Sequence, residues 1–410
     1  MAGEWRECAL GEVIELKRGY DLPQRDRRSG DVPLVSSSGV TDHHAEAMVK
    51  GPGVVTGRYG TLGQVFYIEK DYWPLNTTLY VRDFKGNDPR FISYFLRGLD
   101  FLAYSDKAAV PGLNRNHLHQ ARVLVPTDAK EQRAIAHILG TLDDKIDLNR
   151  RMNETLEAMA QALFKSWLVD FDPVHAKAER RKPGFPQAVT DLFPSSFENS
   201  ELGEIPEGWT VGRFGDVVEQ LREQENPLSS PETLYQHFSL PAFDEGQSPK
   251  IEYGETIKSQ KSRVPSGVVL LSKLNPEIER VWLVDVRATE RAVCSTEFLV
   301  LRARPPFTRS FVYCFARSPL FRQQIESLVT GTSKSHQRAQ SESILNLAAV
   351  LPDSAVNAAF HRLADNLLAR TLECRRSSRT LAALRDTLLP KLASGELRIG
   401  DAERFVGTLT

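Results

Sequence analysis

Residues 131–167 read "EQRAIAHILGTLDDKIDLNRRMNETLEAMAQALFKSW" and residues 360–388 read "FHRLADNLLARTLECRRSSRTLAALRDTL". In the first, Ile135, Ile138, Leu142, Lys145, Asn149, Met152, Leu156, Met159 and Leu163 step by three and four residues in turn. In the second, Phe360, Leu363, Leu367, Arg370, Cys374, Ser377, Leu381, Leu384 and Leu388 do the same, each 225 residues beyond its counterpart. A sustained 3,4 spacing is the seam of a coiled coil. The interruptions match as well, Lys145 with Arg370 and Asn149 with Cys374. Polar or small groups at seam positions fix register at some cost in stability. Matched seams in two nearly Pro- and Gly-free stretches predict two long helices that pair with each other. The first, taken from Glu131 to Trp167, spans roughly 55 Å at ~1.5 Å per residue.

Working outward, the matching extends to whatever precedes each helix. "WRECALGEVIEL" (5–16) and "WTVGRFGDVVEQ" (209–220) share Trp5/Trp209, Gly11/Gly215, Val13/Val217 and Glu15/Glu219. Gly53-Val54-Val55 matches Gly267-Val268-Val269, in a register that sets Arg58 against Ser272 and Tyr59 against Lys273. Phe91/Phe311, Phe95/Phe315, Arg97/Arg317 and Pro126/Pro352 follow in order, with an offset that grows slowly. Each copy runs from short β-rich segments broken by Gly, Pro, Asn and Asp, through a short helical patch and a closing strand, into its long helix. The chain is therefore expected to hold two mixed α+β domains, 1–127 and 203–352, with long helices at 128–172 and 353–393. A Pro- and charge-rich surface linker is expected at 173–202, with Pro173 stopping the first helix, and a tail at 394–410. In a chain ordered domain–helix–domain–helix, antiparallel pairing of the helices is the simplest arrangement, giving a pseudo-twofold object.

The composition suits a globular chain of 410 residues, with 41% hydrophobic and 26% charged residues. No signal-like start and no long apolar run is visible, so a cytoplasmic location away from membranes is expected. Cys8, Cys294, Cys314 and Cys374 are scattered, as expected of free thiols and not of a disulfide frame or zinc site. The net charge of −1 gives no general pull toward nucleic acid. Between Arg302 and Arg338, however, seven basic residues face one acidic residue, Glu326, and could meet phosphate or form a solvated face.

No catalytic constellation emerges. Gly57, Gly60 and Gly63 in "GRYGTLG" match neither a dinucleotide-binding loop nor a P-loop and read as tight turns. His43-His44 and the His117/His119 pair lack a third ligand at metal-binding spacing, so no metal site is expected. Thr141 and Asp144 after Gly140 fit a helix-start capping pattern. The chain is expected to catalyse nothing itself.

Several segments together give the sequence a family look: "GVVTGRYGTLGQVFYIEKDYWPLNTTLYV" (53–81), "PGLNRNHL" (111–118), "EQRAIAHILGTLDDKIDLNRRMNETLEAMAQALFKSWLVDFDPV" (131–174), "LGEIPEGW" (202–209) and "LRDTLLPKLASGEL" (384–397). On these the chain resembles the specificity (S) subunit of type I restriction–modification systems over essentially its whole length. The resemblance implies two target-recognition domains, each binding one half of a bipartite, asymmetric site on double-stranded DNA. It implies an antiparallel coiled coil that sets the distance between the half-sites. It also implies partners: methyltransferase (M) subunits using S-adenosylmethionine, and restriction (R) subunits using ATP and Mg2+. Those cofactors would sit on the partners and none on this chain.

Candidate DNA contacts follow from side-chain chemistry, since Lys and Arg meet phosphate while Arg, Asn, Gln and Ser reach base edges. In the first domain they are Arg58, Tyr59, Asn114, Arg115 and Asn116. In the second they are Lys258, Lys261, Lys273, Lys334, Ser335, His336 and Arg338. Two other readings stand beside this one. A coiled-coil scaffold with two protein-binding heads needs no DNA, and a self-sufficient methyltransferase would need cofactor and catalytic motifs that the sequence lacks.

Overall fold

The computed structural model describes residues 4–106, 112–181, 184–329 and 337–407. It forms two compact units, Met1–Asn149 with Ser377–Thr410, and Arg150–Arg376. The long helices are Ala129–Leu168 and Ser354–Ala393. Each unit thus takes part of both, whereas the division made from sequence set the helices apart as segments of their own.

In the first unit a four-stranded antiparallel sheet runs in the order Glu15–Arg18, Thr78–Asp83, Gly53–Gly57, Val65–Ile68. The central strand Gly53–Gly57 is buried along its whole length, which its Val-Val-Thr run suits. The opening strand Trp5–Ala9 pairs antiparallel with the closing strand Arg122–Pro126. Helix Pro89–Arg97 packs on the sheet, capped by Asp88, whose carboxylate accepts from the Phe91 N–H at 2.8 Å. Ile135, Ile138, Leu139 and Leu142 of the first long helix share an apolar core with Leu381, Leu388 and Leu392 of the second and with Phe91, Ile92 and Leu96.

The second unit repeats this plan. Its sheet runs Val218–Leu221, Phe298–Ala303, Val269–Ser272, Val281–Leu283. Thr210–Arg213 pairs with Ala348–Leu351, and helix Arg309–Arg317 takes the place of Pro89–Arg97. Phe164 meets Phe311, Phe315 and Phe360 edge-on, with ring centroids 5.4, 6.0 and 5.6 Å apart. In the first unit the start of the first long helix lies with the end of the second, and in the second unit the end of the first lies with the start of the second. The helices therefore run antiparallel.

The buried face departs from the sequence reading at Met159, Leu363 and Arg370. Ala160, Ala364 and Thr371 are fully buried, while Met159 and Leu363 are 52% and 45% exposed and Arg370 is exposed too. Ile135, Leu142, Asn149, Phe360, Leu381 and Leu388 are buried and Leu156, Leu163, Leu367 and Leu384 are half-buried. Near the first head the helix is covered on two sides, so Ile138 and Leu139 are both buried. In the second unit Ala160 and Ala364 join the core that the head shares with both helices, so the buried face there is shifted by one residue from the apolar spacing.

A buried polar cluster ties each head helix to both long helices. Asp143 accepts from the Tyr94 hydroxyl at 2.7 Å, from Arg97 at 3.1 Å and from Arg385 at 2.6 Å. In the second unit Glu157 accepts from the Tyr313 hydroxyl at 2.9 Å, from Arg317 at 2.6 Å and from Arg375 at 2.5 Å. Burial pushes the Asp143 carboxyl up, but hydrogen bonds from Arg385 and Tyr94 and the nearby guanidinium charges outweigh it and hold the group below the ordinary aspartate value. The capping role expected of Thr141 and Asp144 does not occur. The helix runs straight through Gly140, Thr141 donates to the His137 carbonyl at 2.8 Å, and Asp144 pairs with Arg90. A Cβ at Gly140 would stand 2.6 Å from the Arg90 guanidinium carbon, so a larger residue would push that side chain aside.

The expected surface linker is packed. The first long helix ends at Leu168, and Pro173 lies in the first turn of the next helix, Asp172–Ala178. Val174, Phe193 and Ile205 join the second unit's core, and Trp167 meets Phe185 and Phe193 edge-on.

Candidate nucleic-acid interface

The chain leaves strand Gly53–Gly57 through Arg58 and Tyr59, whose N–H groups donate to the Thr77 carbonyl at 2.8 and 3.3 Å. The Leu113 N–H donates to the Arg58 carbonyl at 3.0 Å, and Tyr59 bridges to Gly112. A Cβ on Gly112 would lie 2.5 Å from the Tyr59 ring, so any larger residue would displace the ring from this approach. The Arg58 guanidinium sits 4.6 Å from the centroid of the Tyr59 ring, which is 41% exposed. Asn114 caps the short helix Arg115–His119, accepting from the Asn116 N–H at 3.0 Å, and Arg115 and Asn116 are exposed. The five first-head candidates are thus brought together by one backbone pairing.

The same pairing recurs in the second head. The Lys273 N–H donates to the Glu297 carbonyl and the Ala339 N–H to the Lys273 carbonyl, both at 3.0 Å, and Leu274 bridges to Arg338. This register corrects the sequence alignment by one residue. Arg58 corresponds to Lys273, and Tyr59 to Leu274. Strand pairing likewise sets Arg18 opposite Leu79 and Arg222 just beyond the Leu221–Val300 pair, so these two arginines also correspond. Helix Ser341–Leu345 takes the place of Arg115–His119, with Gln340 at the N-cap position held by Asn114.

The other second-head candidates fare differently. Lys334, Ser335 and His336 lie outside the described residues. Arg338 pairs with Glu297 at 2.7 Å. Lys261 donates to the Ser259 hydroxyl at 2.6 Å, and Lys258 is exposed on the preceding loop. The basic run 302–338 is largely spent on the protein itself. Arg304 donates to the Val218 carbonyl at 2.9 Å and Arg309 to the Val284 carbonyl at 3.3 Å. Arg317 pairs with Glu157 and Glu279, and the buried Arg322 donates to the Pro276 carbonyl. Five of the run's described cations, Arg304, Arg309, Arg317, Arg322 and Arg338, are thus engaged by the protein's own carbonyls and carboxylates.

Sequence reasoning missed an open groove in the second head with a volume of about 680 Å³. Gln220, Arg222 and Gln224 line one side, Lys273 the middle, and Gln340 and Ser341 the other, over Leu221, Phe298 and Leu299. In the first head His119 closes the short helix from inside, its Nε2 accepting from the Leu16 N–H at 2.9 Å. Burial, then the charges of Arg115 and Lys85, hold its pKa below the ordinary histidine value, which keeps the acceptor nitrogen free. Gly60 and Gly63 have φ of +82° and +81°, the turns that "GRYGTLG" suggested.

The geometry defines an internally duplicated chain with two heads that share one frame and differ in the side chains displayed on it. A family model described as "Type I restriction modification DNA specificity domain" matches residues 2–158. The chain is 25% identical over 304 residues to the specificity subunit of the type I restriction enzyme MjaIX of Methanocaldococcus jannaschii, covering 72% of this chain and 65% of that one. It is 22% identical to the HindI specificity subunit of Haemophilus influenzae, covering 96% of this chain and 100% of the relative. The match thus spans just under two thirds of the first relative and all of the second. The crystal structure of the S subunit of a type I restriction–modification system from M. genitalium has a TM-score of 0.59 at 11% identity, covering 95% of this chain and 96% of that one, a likeness of fold. The chain is thus similar to specificity subunits of type I restriction–modification systems, and its residues 2–158 match the model of that family's DNA specificity domain. No helix among the described residues is long and apolar enough to cross a membrane.

Proposed function

We propose that this chain is the DNA-reading subunit of a cytoplasmic type I restriction–modification complex and that each head binds one half of a bipartite, asymmetric site on double-stranded DNA. The observation that carries the reading is the repeated pairing that presents Arg58 in the first head and Lys273 in the second. A duplicated frame with unlike displayed residues suits two unlike half-sites, because a true repeat would read the same sequence twice. Cations on such a frame neutralise phosphates, and the amides and hydroxyls beside them have the donors and acceptors that base edges require.

The chain catalyses nothing itself on this reading. Methyltransferase subunits dock on it and bring S-adenosylmethionine, while restriction subunits bring ATP and Mg2+. The test is methyl transfer to host genomic DNA. The purified chain with S-adenosylmethionine should methylate nothing, and addition of its cognate M subunit should create methylation at one bipartite motif. Methyl transfer by the chain alone, or methylation that ignores sequence when both are present, would refute it. Heads that bind protein and not DNA would show as an assembled complex without any affinity for duplex.

A further inference from the structure

The two heads can be compared residue by residue in the register fixed by their hydrogen bonds, and the comparison separates two kinds of position. Three places carry the same chemistry in both heads. Arg18 corresponds to Arg222 at the end of the first sheet strand, Arg58 to Lys273 after the buried strand, and Asn114 to Gln340 at the cap of the short helix. The neighbours of these places differ. Leu16 corresponds to Gln220, Tyr20 to Gln224, Arg115 to Ser341 and Asn116 to Glu342.

We propose that the shared trio, Arg18, Arg58 and Asn114 in the first head and Arg222, Lys273 and Gln340 in the second, holds the sugar–phosphate strand. The positions that differ read the bases: Gln220, Gln224, Ser341 and Glu342 for the second half-site, and Arg115 and Asn116 for the first. The proposal rests on the DNA-reading function above and deepens it by dividing the labour among named residues. Phosphates are the same at every base pair, so groups that hold them need not change when a head changes its target, whereas groups on base edges must.

Three observations support the division. Arg222, Lys273 and Gln340 line the same groove as Gln220, Gln224, Ser341 and Glu342, so holding and reading groups face one space. Gln224, Lys273 and Gln340 make no side-chain hydrogen bond or ion pair with any described residue, unlike Arg304, Arg309, Arg317, Arg322 and Arg338 nearby in sequence. The reading set also has suitable chemistry. A glutamine side chain can pair bidentately with adenine, and a glutamate can accept from the amino group of cytosine while repelling a phosphate. Glu342 is the one carboxylate among the residues that line the groove, which argues against a purely phosphate-binding surface.

The experiment uses the full complex with its M subunits and two sets of variants, each checked for an unchanged thermal midpoint. Binding is measured to a library of duplexes at several salt concentrations. Arg222→Ala and Lys273→Ala should weaken binding to all sequences alike and lower the steepness of the salt dependence by about 0.9 per lost phosphate contact, leaving the motif unchanged. Gln224→Ala and Glu342→Ala should alter the preferred second half-site, leave the first half-site intact and keep the salt slope. Lys273→Ala that changes the motif at constant slope, or Gln224→Ala and Glu342→Ala that leave it untouched, would overturn the division. A wild-type complex that selects no motif would instead sink the DNA-reading function beneath it.

Discussion

Glu157 offers the sharpest test of how the second head is held to the long helices. Its side chain is 11% exposed and accepts from Tyr313, Arg317 and Arg375, whose guanidinium groups come from the head helix and the second long helix. Replacing it with alanine removes the shared acceptor. Arg317 keeps a second carboxylate, Glu279, at 2.5 Å. Arg375 retains only the amide oxygen of Gln247 at 2.8 Å, with its Nη1 already lacking a partner. One buried cation is therefore left uncompensated, not two, which places the cost at the low end of the range for such breaks, about 3 kcal/mol. Tyr313→Phe, which removes one hydrogen bond to a charged acceptor, should cost about 1.5 kcal/mol. Urea unfolding followed by tryptophan fluorescence suits the measurement once Trp5 and Trp73 of the first unit are replaced by Phe, which leaves Trp167, Trp209 and Trp282 of the second unit as reporters. With a slope of roughly 2.5 kcal/mol per molar for a unit of this size, Glu157→Ala should lower the midpoint by about 1 M. Amide hydrogen exchange should quicken in Arg309–Arg317 and stay unchanged in Pro89–Arg97. Adding Arg375→Ala to Glu157→Ala should restore part of the loss, since no unpaired charge then remains. A midpoint shift of only a tenth or two of a molar, or a double variant worse than the sum of the singles, would refute the assignment of a buried, mutually dependent cluster.

Other consequences are narrower. Arg58→Ala should weaken binding through the first head evenly across sequences and flatten the salt dependence, and a relaxed first half-site with a loss of about 1–3 kcal/mol would mark it as a base contact instead. The first unit should lose stability on acidification in two stages. His119 and Asp143 both have lowered pKa values in the folded chain, so each contributes stability above its unfolded value, about 6.5 and 3.9, and loses it as pH falls through the folded one. Protection of the Pro89–Arg97 amides, taken as exchange rates corrected for their intrinsic pH dependence from about pH 7 down to about pH 2, should fall in two steps, and His119→Gln should remove the upper one; a flat protection profile in the parent protein would contradict both assignments. The four cysteines are buried, and burial pushes the thiols of Cys294 and Cys314 up to about 12. A thiol reagent at pH 8 should label none of them until urea is added, and rapid labelling of the native chain would contradict the packing.

The long helices and the duplicated heads were legible because they rest on periodicity and on order along the chain, both of which sequence preserves. The buried face of each helix was legible only in part. Leu363 and Met159 have the right composition for it but are exposed, while their neighbours Ala364 and Ala160 are buried with the second unit's core, because the head covers the helix on a side that periodicity alone does not mark. The linker was misread for a similar reason. Its prolines and charges suggested solvent, yet Val174, Phe193 and Phe197 pack into or against the second unit's core. Among the candidate contacts, the first-head set lies together in the fold because its members flank one turn and one short helix. The groove of the second head escaped because Arg222, Lys273 and Gln340 come from strand ends and a cap far apart in sequence, which only sheet order brings together. The basic run from Arg302 to Arg338 drew attention by charge alone, and sequence carries no record of the carbonyls and carboxylates that occupy those guanidinium groups.

Reading of two unlike DNA half-sites by two unlike heads on one duplicated frame can be measured by selecting bound duplexes from a fully randomised library with the chain in complex with its M subunits, then repeating the selection with Arg115→Ala and Asn116→Ala in the first head and with Gln224→Ala and Glu342→Ala in the second. The selected motif should hold two different blocks separated by a fixed unspecified gap, with first-head variants changing one block and second-head variants changing only the other. A single block, two identical blocks, or variants of either head that alter both blocks together would contradict it.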